Sequence, residues 1–124
     1  MSKITYKTTL SFDKDLKRLV KKFPTLGEDL EIAKVFTIEL FHLKNENRQA
    51  IFQIQNFCSD ELKICKIKKF ACKALKGSGV QSSIRIIYAY HVLTNTVNFI
   101  EMYFKDESEN EDKERIKNFL IESN

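Results

Sequence analysis

The chain has 124 residues, 43% of them apolar and 31% charged, with a formal net charge of +4. That is enough to bury one core without disulfide or metal staples, and the expected unit is a single domain over residues 1–124. Three glycines and one proline exclude a disordered linker or a string of tight hairpins.

Ten phenylalanines and no tryptophan predict a core of Phe, Ile, Leu and Val. No stretch approaches the roughly 18 apolar residues of a membrane span. No basic leader followed by an apolar run marks a signal peptide. The expected location is therefore the cytoplasm, with no membrane partner. Cys58, Cys65 and Cys72 form neither the CxxC pairs of a zinc site nor a thioredoxin-like motif. Reduced thiols are expected, with no metal and no small-molecule cofactor. Cys65 and Cys72 are seven apart, on opposite faces if the strand runs that far.

Charge is segregated along the chain. Residues 1–25 hold seven basic and two acidic side chains, and residues 26–60 hold three and six. Residues 61–105 hold eight basic and two acidic side chains, and residues 106–124 hold three and seven. A basic block followed by an acidic tail suggests one surface that binds polyanions or an acidic protein.

In chain order, Ile4 to Leu10 is rich in β-branched and aromatic residues and predicts a strand. Ser11 or Asp13 offers an N-cap to a helix whose apolar face is Leu16, Leu19, Val20 and Phe23. Pro24 ends it. A second helix runs from about Leu26 to Lys44, and the two form an αα-hairpin. Asn45-Glu46-Asn47 breaks the pattern, and Ile51 to Phe57 reads as either a short strand or a covering loop. From Ile64 the period becomes two, with Lys66 and Lys68 on one face. Lys76-Gly77-Ser78-Gly79 turns the chain into a strand from Ile84 to Tyr90 that carries Arg85. Leu93 to Thr96 turns it again, and Val97 to Phe104 returns. Ser108, with Glu111 three residues on, predicts the capping box of a last helix.

The expected architecture is α+β: strand, helix, helix, strand, strand, strand, helix. An antiparallel meander sheet packs on a helical hairpin, with the other sheet face open. Lys66, Lys68 and Arg85 would gather there.

That order, with Cys65-Lys66-Ile67-Lys68-Lys69-Phe70, Ser83-Ile84-Arg85-Ile86-Ile87-Tyr88 and Phe99-Ile100-Glu101-Met102-Tyr103-Phe104-Lys105, resembles the RelE/ParE superfamily of bacterial toxins. The likeness covers nearly the whole chain and is looser over residues 45–62. It implies a toxin of a type II toxin–antitoxin system, in the RNA-cleaving branch a ribosome-dependent mRNA endonuclease (mRNA interferase) that inhibits translation. There the ribose 2′-OH attacks the adjacent phosphate without a metal, which restricts the reaction to RNA.

The implied catalytic set is Arg85, Lys66, Lys68 and Lys105. Arg85 would offset charge on the phosphorus oxygens, since a guanidinium stays protonated and meets a phosphate bidentately. Lys66 or Lys68 would hold substrate, or serve as a base if a cationic cluster lowers its pKa. Lys105 would protonate or steady the leaving oxygen. Lys69, Lys73 and Lys76 would add RNA binding. The C-terminal tyrosine that contributes to the RelE site has no counterpart in residues 106–124. Tyr88 and Tyr103 are the nearby phenols, with core packing an equal reading of both.

Plainer readings stand beside these. The lysines from 63 to 76 also suit a solvated strand edge. Arg85 suits a structural pair with Glu101. His42 and His91 read as surface or capping residues. The acidic stretch 106–114 reads as a soluble helix start, or as a shield over the basic sheet. The expected partners are a cognate acidic antitoxin and the ribosome with its mRNA. The alternatives are a non-enzymatic ParE-like toxin that inhibits DNA gyrase, or a degenerate member that only binds a partner.

Overall fold

The structure, a computed structural model, describes residues 3–46, 49–73 and 83–122. Strand β1 (Thr5–Thr8) gives way to helix α1 (Leu10–Val20) at Thr9. The Thr9 hydroxyl accepts from the Phe12 amide at 3.1 Å, so the cap lies two residues before the expected Ser11. Helix α1 buries Phe12, Asp15 and Leu19, one stripe at helical spacing. Phe23 closes the turn beyond α1, its ring edge-on to Phe104 at 5.0 Å.

The second helix is α2 (Leu26–Ala33), which continues through a π-helical segment (Lys34–Glu39) into α3 (Leu40–Lys44). It stops at Asn45, whose left-handed φ of 55° ends the hydrogen-bond ladder. The ambiguous stretch resolves into strand β2 (Ile51–Gln53) and a 3₁₀ turn (Gln55–Phe57). Strands β3 (Leu62–Ile67), β4 (Ile84–His91) and β5 (Thr96–Phe104) form the antiparallel meander. Helix α4 (Lys113–Glu122) ends the described chain. The expected glycine turn at 76–79 lies outside the described residues.

The sheet order is β1-β5-β4-β3-β2, with β1 parallel to β5 and the other pairs antiparallel. On one face α1 and the α2–α3 helix bury Phe12, Leu19, Leu26 and Ile38 against Ile67, Ile86, Tyr88 and Phe99. Cys65 and Cys72 both lie in this core, because β3 ends at Ile67 and the alternation that would separate them stops there. The other face is not open as expected. Ile116 of α4 is fully buried against Ile64, Ile87, Ala89 and Ile100. Helix α4 starts later than expected because its cap is Asp112, whose Oδ1 accepts from the Glu114 and Arg115 amides at 3.1 and 3.2 Å. No helix among the described residues is long and apolar enough to cross a membrane.

One irregularity governs how the two layers meet. Tyr88 pairs with Phe99 but Ile87 pairs with Glu101, so Ile100 is an extra residue in β5, a β-bulge. Beyond β1 the free edge of β5 is satisfied by side chains. Asp15 of α1 accepts from the Met102 amide at 3.0 Å, and Arg115 of α4 donates to the Ile100 carbonyl at 3.2 Å. Asp15 and Arg115 form an ion pair with each other across this edge.

Asp15→Asn should therefore cost about 3 kcal/mol, the low end for breaking a buried pair because Arg115 keeps 27% side-chain exposure. Replacing both partners, Asp15→Leu with Arg115→Met, should cost less than that single change. Urea denaturation of the three proteins checks this; a single variant within 0.5 kcal/mol of wild type, the scatter of ordinary surface changes, would remove the pair from this role.

Candidate functional site

The register sets the candidate site. Arg85 is opposite Tyr103, and Lys66 is opposite Ile87. The Lys68 amide donates to the Ala50 carbonyl at 2.8 Å, which carries the line of β3 one row further, level with Arg85. The Lys105 amide donates to Ser83, which extends the β4–β5 ladder by one more row. Strand alternation then puts Lys66, Lys68, Arg85, Tyr103 and Lys105 at positions of the α4 side, all at one end of the sheet. The four residues expected to be catalytic share one patch of that face.

The RNA-binding trio is not brought together in the same way. Lys73 lies beside α2, its Nζ 3.9 Å from Glu28 and its amide bonded to Asp29 at 3.2 Å. Lys69 is half-buried just past β3, one position out of phase with Lys66 and Lys68. Lys76 lies outside the described residues.

Two residues outside the expected catalytic set complete the patch. The Lys66 ammonium is 2.8 Å from Glu111, in the connector between β5 and α4. The side chains are 15% and 12% exposed, so the pair is largely shut away from water. Burial acts to lower the Lys66 pKa, but the bond to Glu111, helped by Tyr103, outweighs it and the net direction is up. The expected low-pKa lysine base is therefore corrected for Lys66, because its nearest charge is a carboxylate rather than another cation. Glu111 moves the other way. Its burial would raise the carboxyl pKa, and Lys66 brings it below the usual range.

Tyr103 is the second. Its hydroxyl is buried, without a hydrogen bond of good geometry among the described residues. The Lys66 ammonium lies 5.8 Å from its ring centroid. Burial raises the phenol pKa, and Lys66 only partly opposes this. A lysine, an arginine and a phenol at neighbouring strand positions can bind and polarise a phosphate.

Glu101, expected as the partner of Arg85, falls opposite Ile87 instead, and Arg85 is opposite Tyr103. Glu101 accepts from the Asp112 amide at 2.8 Å and feels the charge of Arg115. Arg85 itself donates to its neighbour's carbonyl, Ile84, at 3.3 Å. Lys68 reaches over the Phe52 ring, 4.4 Å from its centroid.

The helical side carries a second polar cluster. His42, expected at the surface, is hydrogen-bonded to Tyr88 at 2.8 Å and stacked on Tyr90 at 3.8 Å. Burial pushes its imidazole down to about 4. His91 is half-buried and bonded to Asn98 at 2.9 Å. It borders a cleft of about 450 Å³ with Phe57, Cys58, Leu62 and Leu120, at the far end of the face from the basic patch.

No protein-family description matches the chain, and no curated protein sequence matches it. Among solved structures it is similar to the solution structure of HP0892, a conserved hypothetical protein from Helicobacter pylori. The two share 22% identity with a TM-score of 0.46, over 85% of this chain and 98% of that one.

The His42 cluster yields a pH dependence with a definite sign. The folded protein favours the neutral imidazole, so this contribution is complete above the ordinary value of 6.5 and is lost as pH falls from there towards about 4. Stability of wild type minus that of His42→Phe, from denaturation at a series of pH values, should fall across that window. A difference that stays flat from pH 7 to 4 would show that His42 is not held neutral.

Proposed function

We propose that the chain is the toxin of a type II toxin–antitoxin system, of the RelE/ParE kind, acting as a ribosome-dependent mRNA endonuclease. The observation that carries this reading is the row formed by Lys68, Arg85 and Tyr103, flanked by Lys66 and Lys105. The antiparallel β3–β4–β5 meander over a helical hairpin is consistent with that superfamily's architecture.

In this reading Lys66 and Lys68 fix the phosphate, and Arg85 offsets charge as the 2′-oxygen attacks, its proton passing to solvent while the bond from phosphorus to the 5′-oxygen breaks. Lys105, exposed at the end of β5, delivers a proton to the departing 5′-oxygen. Lys66 is better suited to holding charge than to taking a proton, since its pKa is raised. The natural partner is an acidic antitoxin.

A second reading, a toxin or degenerate member that acts only by binding a protein such as gyrase, is favoured by two features. Glu111 neutralises Lys66, and Val35 and Phe36 of the α2–α3 helix are exposed by 49% and 67%.

Pulse induction in bacteria, with growth followed while mRNA 5′ ends are mapped, separates the two. The nuclease reading expects arrest with new in-frame cuts, both abolished in Arg85→Ala that folds like wild type. Arrest without cuts would replace it with the protein-binding reading.

A further inference from the structure

The connector between β5 and α4 is anchored at both ends. The Glu107 and Ser108 amides both donate to the Phe104 carbonyl, at 2.9 and 3.0 Å, and Asp112 is held by Glu101. Between these points Glu109 and Asn110 are exposed, and Glu111 turns inward onto Lys66. Next to this ion pair lies the Tyr103 hydroxyl, in a side chain only 3% exposed. A phenylalanine would fill that volume without burying a polar group. The geometry is therefore that of an anion site with one donor occupied by an internal carboxylate and a second donor left over.

We infer that Lys66 and Tyr103 form a binding site for a nucleic-acid phosphate, and that Glu111 is its resident occupant, displaced when the phosphate enters. A planar carboxylate bonded through Oε1 to Lys66 leaves the phenol beside the ammonium with no acceptor for its proton in good geometry. A tetrahedral phosphate presents several oxygens in different directions and can take the ammonium and the phenol together. The ligand is a nucleic acid rather than an acidic peptide because the neighbouring strand positions, Lys68 and Arg85, continue the line of cations from one row to the next. That choice rests on the proposed function; the anion site and its occupant do not.

The test uses the full chain at low ionic strength, with inorganic phosphate and then a short 2′-O-methyl RNA that cannot be cleaved, followed by NMR at Lys66 and Tyr103. Glu111→Gln, which keeps a hydrogen-bond acceptor for Lys66 but removes the charge, should bind phosphate about tenfold more tightly than wild type. Adding Tyr103→Phe should remove most of that gain. Glu109→Gln, which deletes an exposed charge from the same connector, should leave affinity within about twofold, as expected for a screened surface charge. Equal gains from Glu109→Gln and Glu111→Gln, or a gain that survives Tyr103→Phe, would overturn the site. Tighter binding of an acidic peptide than of the RNA at equal charge would overturn the choice of a nucleic acid as its ligand.

If Glu111→Gln does not fold, the Tyr103→Phe protein alone decides. Its thermal midpoint should exceed that of wild type without phosphate, and it should gain less from added phosphate. A lower midpoint, or an unchanged response to phosphate, would overturn the proposal. Binding without any mRNA cutting in cells would keep this site and remove the nuclease; cutting that is indifferent to Glu111 and Tyr103 would do the reverse.

Discussion

The β-bulge at Ile100 is the constraint on which the arrangement of both layers depends. Beside it β1 ends at Thr8 opposite Phe99, so past the ladder the Ile100 carbonyl meets the Thr9 hydroxyl at 3.4 Å and both it and the Met102 amide need side-chain partners. Buried backbone groups need partners. Asp15 and Arg115 supply them, one from each helical layer, and pair with each other in doing so. The price of burying two charges is offset by the backbone bonds each also makes. Because Arg115 is two residues into α4, the same contact fixes where that helix starts and hence where the connector before it must run.

That path explains how one sheet face carries two kinds of surface. Its middle is apolar, with Ile64, Ile87, Ala89 and Ile100 covered by Ile116. Its end is basic, and the helix does not cover it; the acidic connector does, through Glu111 on Lys66. Hydrophobic burial is indifferent to orientation, whereas a largely desolvated ion pair is not. The apolar half therefore holds α4 in place, and the polar half can exchange partners without loss of the core. An unsatisfied phenol at the junction is a local cost of a kind that folds retain at sites of function.

Much of this was legible in the sequence because it rests on local rules. The period-two run from Ile64, the arginine in Ile84–Tyr90 and the break at Asn45 each follow from alternation or from a residue that tolerates left-handed backbone, and each is where it was expected. What failed depends on long-range geometry. A strand-to-strand pairing of Glu101 with Arg85 needs a register the sequence does not display: with the extra residue at Ile100, Glu101 falls opposite Ile87 and Arg85 opposite Tyr103, and Glu101 bonds to Asp112. The open face was expected because the helices were placed on one side of the sheet, yet Ile116 with Phe119 and Leu120 covers a narrow strip of the other. His42 read as a helix-end residue since nothing in its neighbourhood along the chain announces Tyr88 and Tyr90, nearly fifty positions away. Tyr103 stood in a strand and was equally a core residue; only the state of its hydroxyl distinguishes the two.

The alternation of charge along the chain then acquires a physical meaning. The basic block of residues 61–105 is followed at once by an acidic segment, and folding brings one against the other at Lys66 and Glu111. A tethered carboxylate competes with any free anion at the high effective concentration of an intramolecular contact. A single phosphate displaces it poorly. A polyanion does better, because each further phosphate that meets Lys68, Arg85 or Lys105 adds binding while Glu111 can answer only once. On the proposed displacement, the arrangement favours chains of phosphates over isolated ones, and this preference weakens as salt screens the outer contacts faster than the buried one.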